Sequence, residues 1–188
     1  MRDFSLDRLD RLFSSRKHHS YTLWRHDVDF SLDAALKMAV FEAERGISAT
    51  YFLFLGHFWP FYSTEDAIEV EHLLFDLGHR IGQHIDERVQ PDFADFIRGP
   101  VSFHCPTQNV LWRNFPGFYN AYASYWKDHY YSDSRGMFSF GDPEDDSLKT
   151  LQINLHSEWW FEPDWLDKIK DEEHERYWYA PKTTKTNS

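Results

Sequence analysis

Residues Ala49 to Leu55 read Ala-Thr-Tyr-Phe-Leu-Phe-Leu, a near-continuous apolar run of seven. The run is far too short to cross a bilayer, and it lacks the alternation of a half-exposed strand. It predicts a strand buried on both faces, the condition of a parallel sheet covered by helices. The flanks agree. Upstream, Leu32, Ala35, Leu36, Ala39, Val40 and Ala43 recur at helical spacing, with Ser31 as N-cap, Asp33 in the first turn and Gly46 as the stop. Downstream, Ser63 and Asp66 form a capping-box pattern before a looser stripe of Ala67, Ile68, Leu74, Phe75 and Leu77 that ends at Gly78. Tyr21 to Trp24 precedes the first helix as a strand, followed by a charged turn from Arg25 to Asp29. Arg80 to His84 follows the second helix as another strand. Strand, helix, strand, helix, strand argues for an α/β fold with right-handed crossovers.

The second half is less regular. Val101 to His104 and Thr150 to Leu155 read as strands, the stretch from Asn120 to Trp126 as a helix, and Asp164 to Glu175 as a last amphipathic helix. The chain has 188 residues and no internal repeat or linker, so one domain over residues 1–180 is expected, with 181–188 a flexible tail. The first 20 residues have no apolar stretch of signal-peptide length, and no run suits a membrane span. The single cysteine, Cys105, allows no disulfide within the chain. A cytoplasmic location is the expectation. The net charge of −11 lacks the basic footprint of nucleic-acid binding, which excludes that class of partner. Phe, Tyr and Trp make up 19% of the chain, enough to fill a core and still leave rings to stack on a flat ligand.

In parallel α/β sheets and barrels, sites collect where strands end. Four polar clusters stand at such ends: Asp27 with Asp29, His84 with Asp86, His104, and His156. Two carboxylates spaced by two face one side of extended backbone, and like charges that close need a cation or a proton between them. An imidazole beside a carboxylate suits zinc, iron, cobalt or nickel. Taken singly these signals are weak. Asp-x-Asp is common on solvated turns, and a strand-end histidine is often only hydrogen-bonded structure. Their convergence favours a metal site, with His156 either a ligand or a general acid.

Leu23-Trp24-Arg25-His26-Asp27-Val28-Asp29 with Ser31-Leu32-Asp33-Ala34-Ala35-Leu36 resembles the opening of the polysaccharide deacetylase family, the NodB-type carbohydrate esterases. More narrowly, it resembles the Arg-His-Asp-Val-Asp branch found beside bacterial surface-sugar genes. Leu77 to Asp86, Ser102 to Pro106, Tyr131 to Gly136 and Leu151 to Trp160 resemble the later motifs of that branch, in order. The resemblance implies a distorted (β/α) barrel, incomplete if the short, Pro91-containing connection from Glu87 to Val101 lacks its helix. It also implies metal-dependent hydrolysis of an N-acetyl or related amide of a sugar. Carried over, Asp27 matches the general base, Asp29 and His84 metal ligands, and His156 the acid that protonates the leaving amine. Asp133 matches the group that orients His156, and His104 stands where many relatives have an arginine that holds the base. Arg25, Arg135, Trp159 and Trp160, in the same blocks, are the candidates for substrate contacts. The family's second metal histidine is replaced by Arg88, which leaves Asp86 or His104 as third ligand, and Ser157 replaces a proline. The expected cofactor is a divalent metal, zinc first, with cobalt, nickel or iron as alternatives. Three rival readings follow from the same residues. One is a relative that binds a glycan without turnover. Another is an iron oxygenase built on His84, Asp86 and His156. The third is a glycosyltransferase whose Asp27 and Asp29 hold manganese.

Overall fold

The computed structural model describes residues 4–16, 21–55, 59–88, 97, 99–138, 141–145, 150–162 and 164, without the side chains of Arg135 and Asp145. The expected helix after Asp164 and the tail at 181–188 lie outside the described residues. The elements, in order, are α1 (Leu6–Arg16), β1 (Tyr21–Asp27), α2 (Leu32–Ala43), β2 (Thr50–Leu53), α3 (Thr64–Asp76), β3 (Arg80–Ile85), β4 (Gly99–Phe103), β5 (Phe118–Asn120), β6 (Tyr130–Ser132), β7 (Thr150–Leu155) and α4 (Ser157–Phe161). The strands form one sheet in the order β5-β4-β3-β2-β1-β7-β6, and every pairing is parallel.

The sheet curls. Arg25 on β1 donates from Nη2 to Ser102 Oγ on β4 at 3.0 Å, three strands away in the sheet order. Gln152 on β7 donates to the carbonyl of Ala121, just past β5, at 2.7 Å. The rings of Tyr122 and Tyr130 meet edge to face at 5.6 Å across the same seam. The β5 and β6 edges thus face one another through side chains, with no ladder between them among the described residues. The result is a seven-stranded, incomplete barrel.

Ser31 accepts from the backbone N–H of Ala34 and caps α2, and Ser63 accepts from that of Asp66 and caps α3. Each such cap contributes roughly 1 kcal/mol. Gly46 and Gly78 take φ of 69° and 90° at the two helix stops, a region that excludes most side chains. Several elements differ from expectation. β1 does not end at Trp24 but runs on through Arg25, His26 and Asp27, because β2 and β7 pair with those residues on both sides. The stretch 120–126 is not a helix. It closes β5 and then makes a single 3₁₀ turn at Ser124–Trp126, because the Asn120 side chain accepts from Tyr122 N–H and turns the chain there. Helix α1 was not expected, although Leu9, Leu12 and Phe13 sit at helical spacing and are all buried.

Extending β1 sorts its charges. Arg25 and Asp27, two apart, face the barrel interior, and His26 faces α2. There His26 Nε2 lies 2.8 Å from Glu42 Oε1, and the Tyr51 hydroxyl donates to Glu42 Oε2 at 2.7 Å. This buried network ties α2 to β1 and β2 directly behind the strand ends.

Candidate metal centre

The chemistry-bearing side chains gather at the carboxyl ends of the strands. Asp27 is the last residue of β1. Asp29 follows two residues on, where Trp59 Nε1 donates to its carbonyl at 2.7 Å and the Tyr62 hydroxyl donates to that of Val28 at 2.7 Å. His84 lies near the end of β3. His104 follows β4 and donates its backbone N–H to Ile85 at 2.7 Å. Asp133 follows β6, and His156 follows β7.

Asp29, His84 and His104 form one buried group that could hold a metal ion. Asp29 Oδ1 is 2.9 Å from His84 Nε2 and 3.1 Å from His104 Nδ1. The other ring nitrogen of His84, Nδ1, is 3.0 Å from the Ser102 carbonyl, which can only accept. That nitrogen therefore carries hydrogen, and Nε2 is the atom that faces Asp29. Two electron-rich atoms so placed need a cation between them, either a proton or a metal. One carboxylate oxygen and two imidazole nitrogens within 4.8 Å of one another make a donor set that fits a divalent ion. Phe54 and Trp59, stacked at 3.6 Å, wall the group, with Phe54 4.5 Å from the His84 ring and Trp59 5.1 Å from that of His104.

Without metal, burial lowers the pKa of His104, but the Asp29 charge and hydrogen bond outweigh it and hold that imidazole well above its usual range. For Asp29 the balance has the opposite sign. Burial raises it, and the charge of His104 with the hydrogen bonds of His104 and His84 carries it below the carboxylate range. A metal must therefore displace protons. Zinc affinity is expected to tighten as pH rises from 6 to 8, with proton uptake by the buffer on binding. Calorimetry in buffers of different ionisation enthalpy measures both, and a pH-independent affinity would contradict the site.

Beside this group lie a base-like carboxylate and an acid-like imidazole. Asp27 Oδ2 accepts from Arg25 Nη2 at 2.8 Å and from Asn154 Nδ2 at 2.9 Å. Its Oδ1 is buried with no hydrogen-bond partner. Burial raises the Asp27 pKa, yet Arg25 together with His84 and His156 more than compensates, and the group stays ionised. His156 Nδ1 is 2.7 Å from Asp133 Oδ1, and Trp160 Nε1 holds the second Asp133 oxygen at 2.8 Å. His156 Nε2 stands 3.6 Å from Asp29 Oδ2. Burial lowers the pKa of His156, but Asp133 lifts it to about 10, so the ring carries its proton at neutral pH. These groups open onto a cavity of about 460 Å³, whose other wall includes Phe103, Leu111, Trp112, Tyr122 and Tyr130.

Of the residues singled out in the sequence, Asp27, Asp29, His84, His104, Asp133 and His156 are brought together. Asp86 is not, which corrects the expectation that it serves as a ligand. The strand alternation ends at Ile85, and Arg88 takes both Asp86 oxygens, from Nε at 2.7 Å and from Nη2 at 2.5 Å. His104 stands in the group instead. It therefore does not hold the base, a part taken by Arg25. Arg25 in turn is not a substrate contact: it is fully buried, between Asp27 and the rings of Tyr122 and Tyr130. Trp159 and Trp160 are likewise core residues, because α4 starts directly after His156 and turns both rings inward. The Arg135 side chain lies outside the described residues. Asn154, Ser102 and the aromatic wall escaped sequence reasoning, since nothing local marks an asparagine, a serine or a ring as a support.

Glu158 escaped it too. Its side chain is fully buried, and neither carboxylate oxygen has a hydrogen-bond partner. Burial pushes its pKa up to about 8, although His156 opposes the shift. Below the unfolded value of 4.5 both states are protonated. Between there and about 8 only the unfolded chain loses its proton, so this contribution to stability falls as pH rises through that window. Glu158→Gln is expected to be the more stable protein at pH 8, with most of the difference gone at pH 5. Urea unfolding of the metal-free proteins at the two pH values measures it, and an equal gap at both would refute the assignment.

Comparison of the chain with protein-family models, with curated proteins and with solved structures found no match in any of the three.

Proposed function

We propose that the protein is a metal-dependent hydrolase that removes an acyl group, acetyl or similar, from an amide of a sugar or a related small substrate. One observation carries this reading. A carboxylate with a free oxygen (Asp27) and an imidazole that holds its proton (His156) flank a carboxylate with two imidazoles (Asp29, His84, His104) in one cavity. The resemblance of the five sequence blocks to the polysaccharide deacetylases supports the same assignment of roles. Zinc is the first candidate metal, and cobalt, nickel and iron suit the same ligands.

A divalent ion held by Asp29, His84 and His104 would supply a Lewis acid for the acyl carbonyl and for water. Asp27 Oδ1 takes the proton of the attacking water, while Arg25 and Asn154 hold Oδ2 and keep the carboxylate ionised and aimed. His156 donates its Nε2 proton to the departing amine. Asp133 fixes the opposite nitrogen, and Trp160 fixes Asp133.

The rival built on His84, Asp86 and His156 loses support because Arg88 occupies Asp86. A shared cation at Asp27 and Asp29 loses support because Arg25 already neutralises Asp27. The test is to strip the protein of metal, reload it with zinc, cobalt, nickel or iron, and assay acetate release from N-acetylglucosamine. One ion bound per chain with metal-dependent acetate release is the expected result. A bound ion without turnover on any acylated amino sugar would leave the glycan-binding reading. No bound ion would end the metal reading.

A further inference from the structure

Among the described residues, only two that are not glycine have positive φ: Cys105 at 46° and Trp112 at 58°. Both line the cavity that holds the metal group. A left-handed backbone is costly for any side chain with a Cβ and rare for a bulky ring. Such a conformation persists only where its surroundings enforce it, and enforced strain clusters at binding sites. The enforcement at Trp112 is visible. The Asn120 side-chain amide donates to the carbonyls of Val110 at 2.9 Å and Arg113 at 2.8 Å, gripping the chain on both sides of Trp112. The indole stands edge to face with Tyr122 at 6.2 Å and with Tyr130 at 5.8 Å. Those two rings rest on the buried Arg25 guanidinium, at 4.5 and 5.4 Å. A half-buried indole is thus braced by rings, by a cation and by two backbone anchors.

The rest of the wall limits what can lie against it. No Lys or Arg lines the cavity among the described residues, and its acidic members are Asp27 and Asp29. An anionic ligand would find no compensating charge on the aromatic side. A cavity of about 460 Å³ suits one ring with a small substituent better than an extended chain. We propose that Trp112 is the specificity-determining wall of this site, and that it stacks on the apolar face of a single neutral pyranose ring carrying the acyl-amide. The proposal rests on the reading of the site as one for an acylated amino sugar, but it needs no turnover.

Binding therefore tests it apart from catalysis. The zinc-loaded Asp27→Asn protein is titrated with N-acetylglucosamine, which has the ring, and with acetate, which has only the group facing the metal. Trp112→Ala and Trp112→Gly are each added to that background. Both should weaken N-acetylglucosamine by about tenfold or more, the scale of one lost stacked ring, and change acetate less than twofold. Trp112→Gly, which accepts the positive φ, should unfold no more easily than Trp112→Ala. Trp112→Phe should restore most of the sugar affinity. Unchanged sugar binding in either variant, equal loss of acetate binding, or no sugar binding by the parent would overturn the proposal. The two readings fail separately. Absent acetate release with sugar binding that depends on Trp112 sinks only the hydrolase. Intact hydrolysis with an unchanged KM in Trp112→Ala sinks only the aromatic wall.

Discussion

Asparagine in place of Asp27 is expected to lower acyl release by roughly 10²- to 10⁴-fold while the protein still binds one metal ion per chain. The separation follows from geometry. The three atoms of the metal group belong to Asp29, His84 and His104, and none contacts Asp27 through a hydrogen bond. Asp27 Oδ2 is committed to Arg25 and Asn154, so the atom left to take a proton in the proposed reaction is the unpartnered Oδ1. An amide can keep its oxygen on the two donors, and it then presents an NH₂ to the cavity, which cannot take a proton from water. Asp29→Asn supplies the contrast, since it should lose metal and turnover together. Elemental analysis and acetate release, measured on both variants, settle the assignment. Full turnover in Asp27→Asn would remove Asp27 as the base, and loss of metal in it would mean that Asp27 is a ligand.

Replacing Arg25 by methionine should destabilise the protein by about 3–5 kcal/mol, the usual cost of leaving one member of a buried ion pair without the other. Arg25 and Asp27 are 2.8 Å apart with side chains 1% and 4% exposed. Burial lowers the Arg25 pKa, but Asp27 together with Tyr122 and Tyr130 outweighs it and the guanidinium stays charged. Methionine fills most of the volume and removes the charge, so Asp27 is left desolvated between β1 and β7 with only Asn154 to serve it. The double variant Arg25→Met with Asp27→Asn should recover a large part of the loss, because it no longer buries a lone charge. Urea unfolding of the four proteins closes the cycle. Additive effects of the two substitutions would show that the pair is not coupled.

Much of the architecture was legible along the chain. Ser31 and Ser63 cap α2 and α3, Gly46 and Gly78 stop them, and the apolar run from Ala49 contains the fully buried β2. Caps, stops and periodicity are local, so the chain displays them. The missed elements depend on neighbours. Arg25 to Asp27 has the charge of a turn and becomes strand only because β2 and β7 supply hydrogen bonds on both sides. β5 and β6 are three residues each, too short to leave a pattern, and exist as edges of a sheet that the longer strands build.

The site divides in the same way. The sequence by itself determined that carboxylates and imidazoles stand at strand ends, because the alternation of extended backbone and the direction of a parallel sheet follow from local pattern. Two choices belonged to the tertiary structure. His104 rather than Asp86 completes the group with Asp29 and His84, because β4 sets His104 beside Ile85 across the sheet while Arg88, two residues along, captures Asp86. Arg25, Trp159 and Trp160 support the site from inside, because the sheet curls around Arg25 and α4 turns the tryptophans into the core. Spacing along a chain says which residues share a face. Which residues gather into a group that could hold a cation is decided by the sheet order, which brings residues up to 75 positions apart in sequence within 3.1 Å.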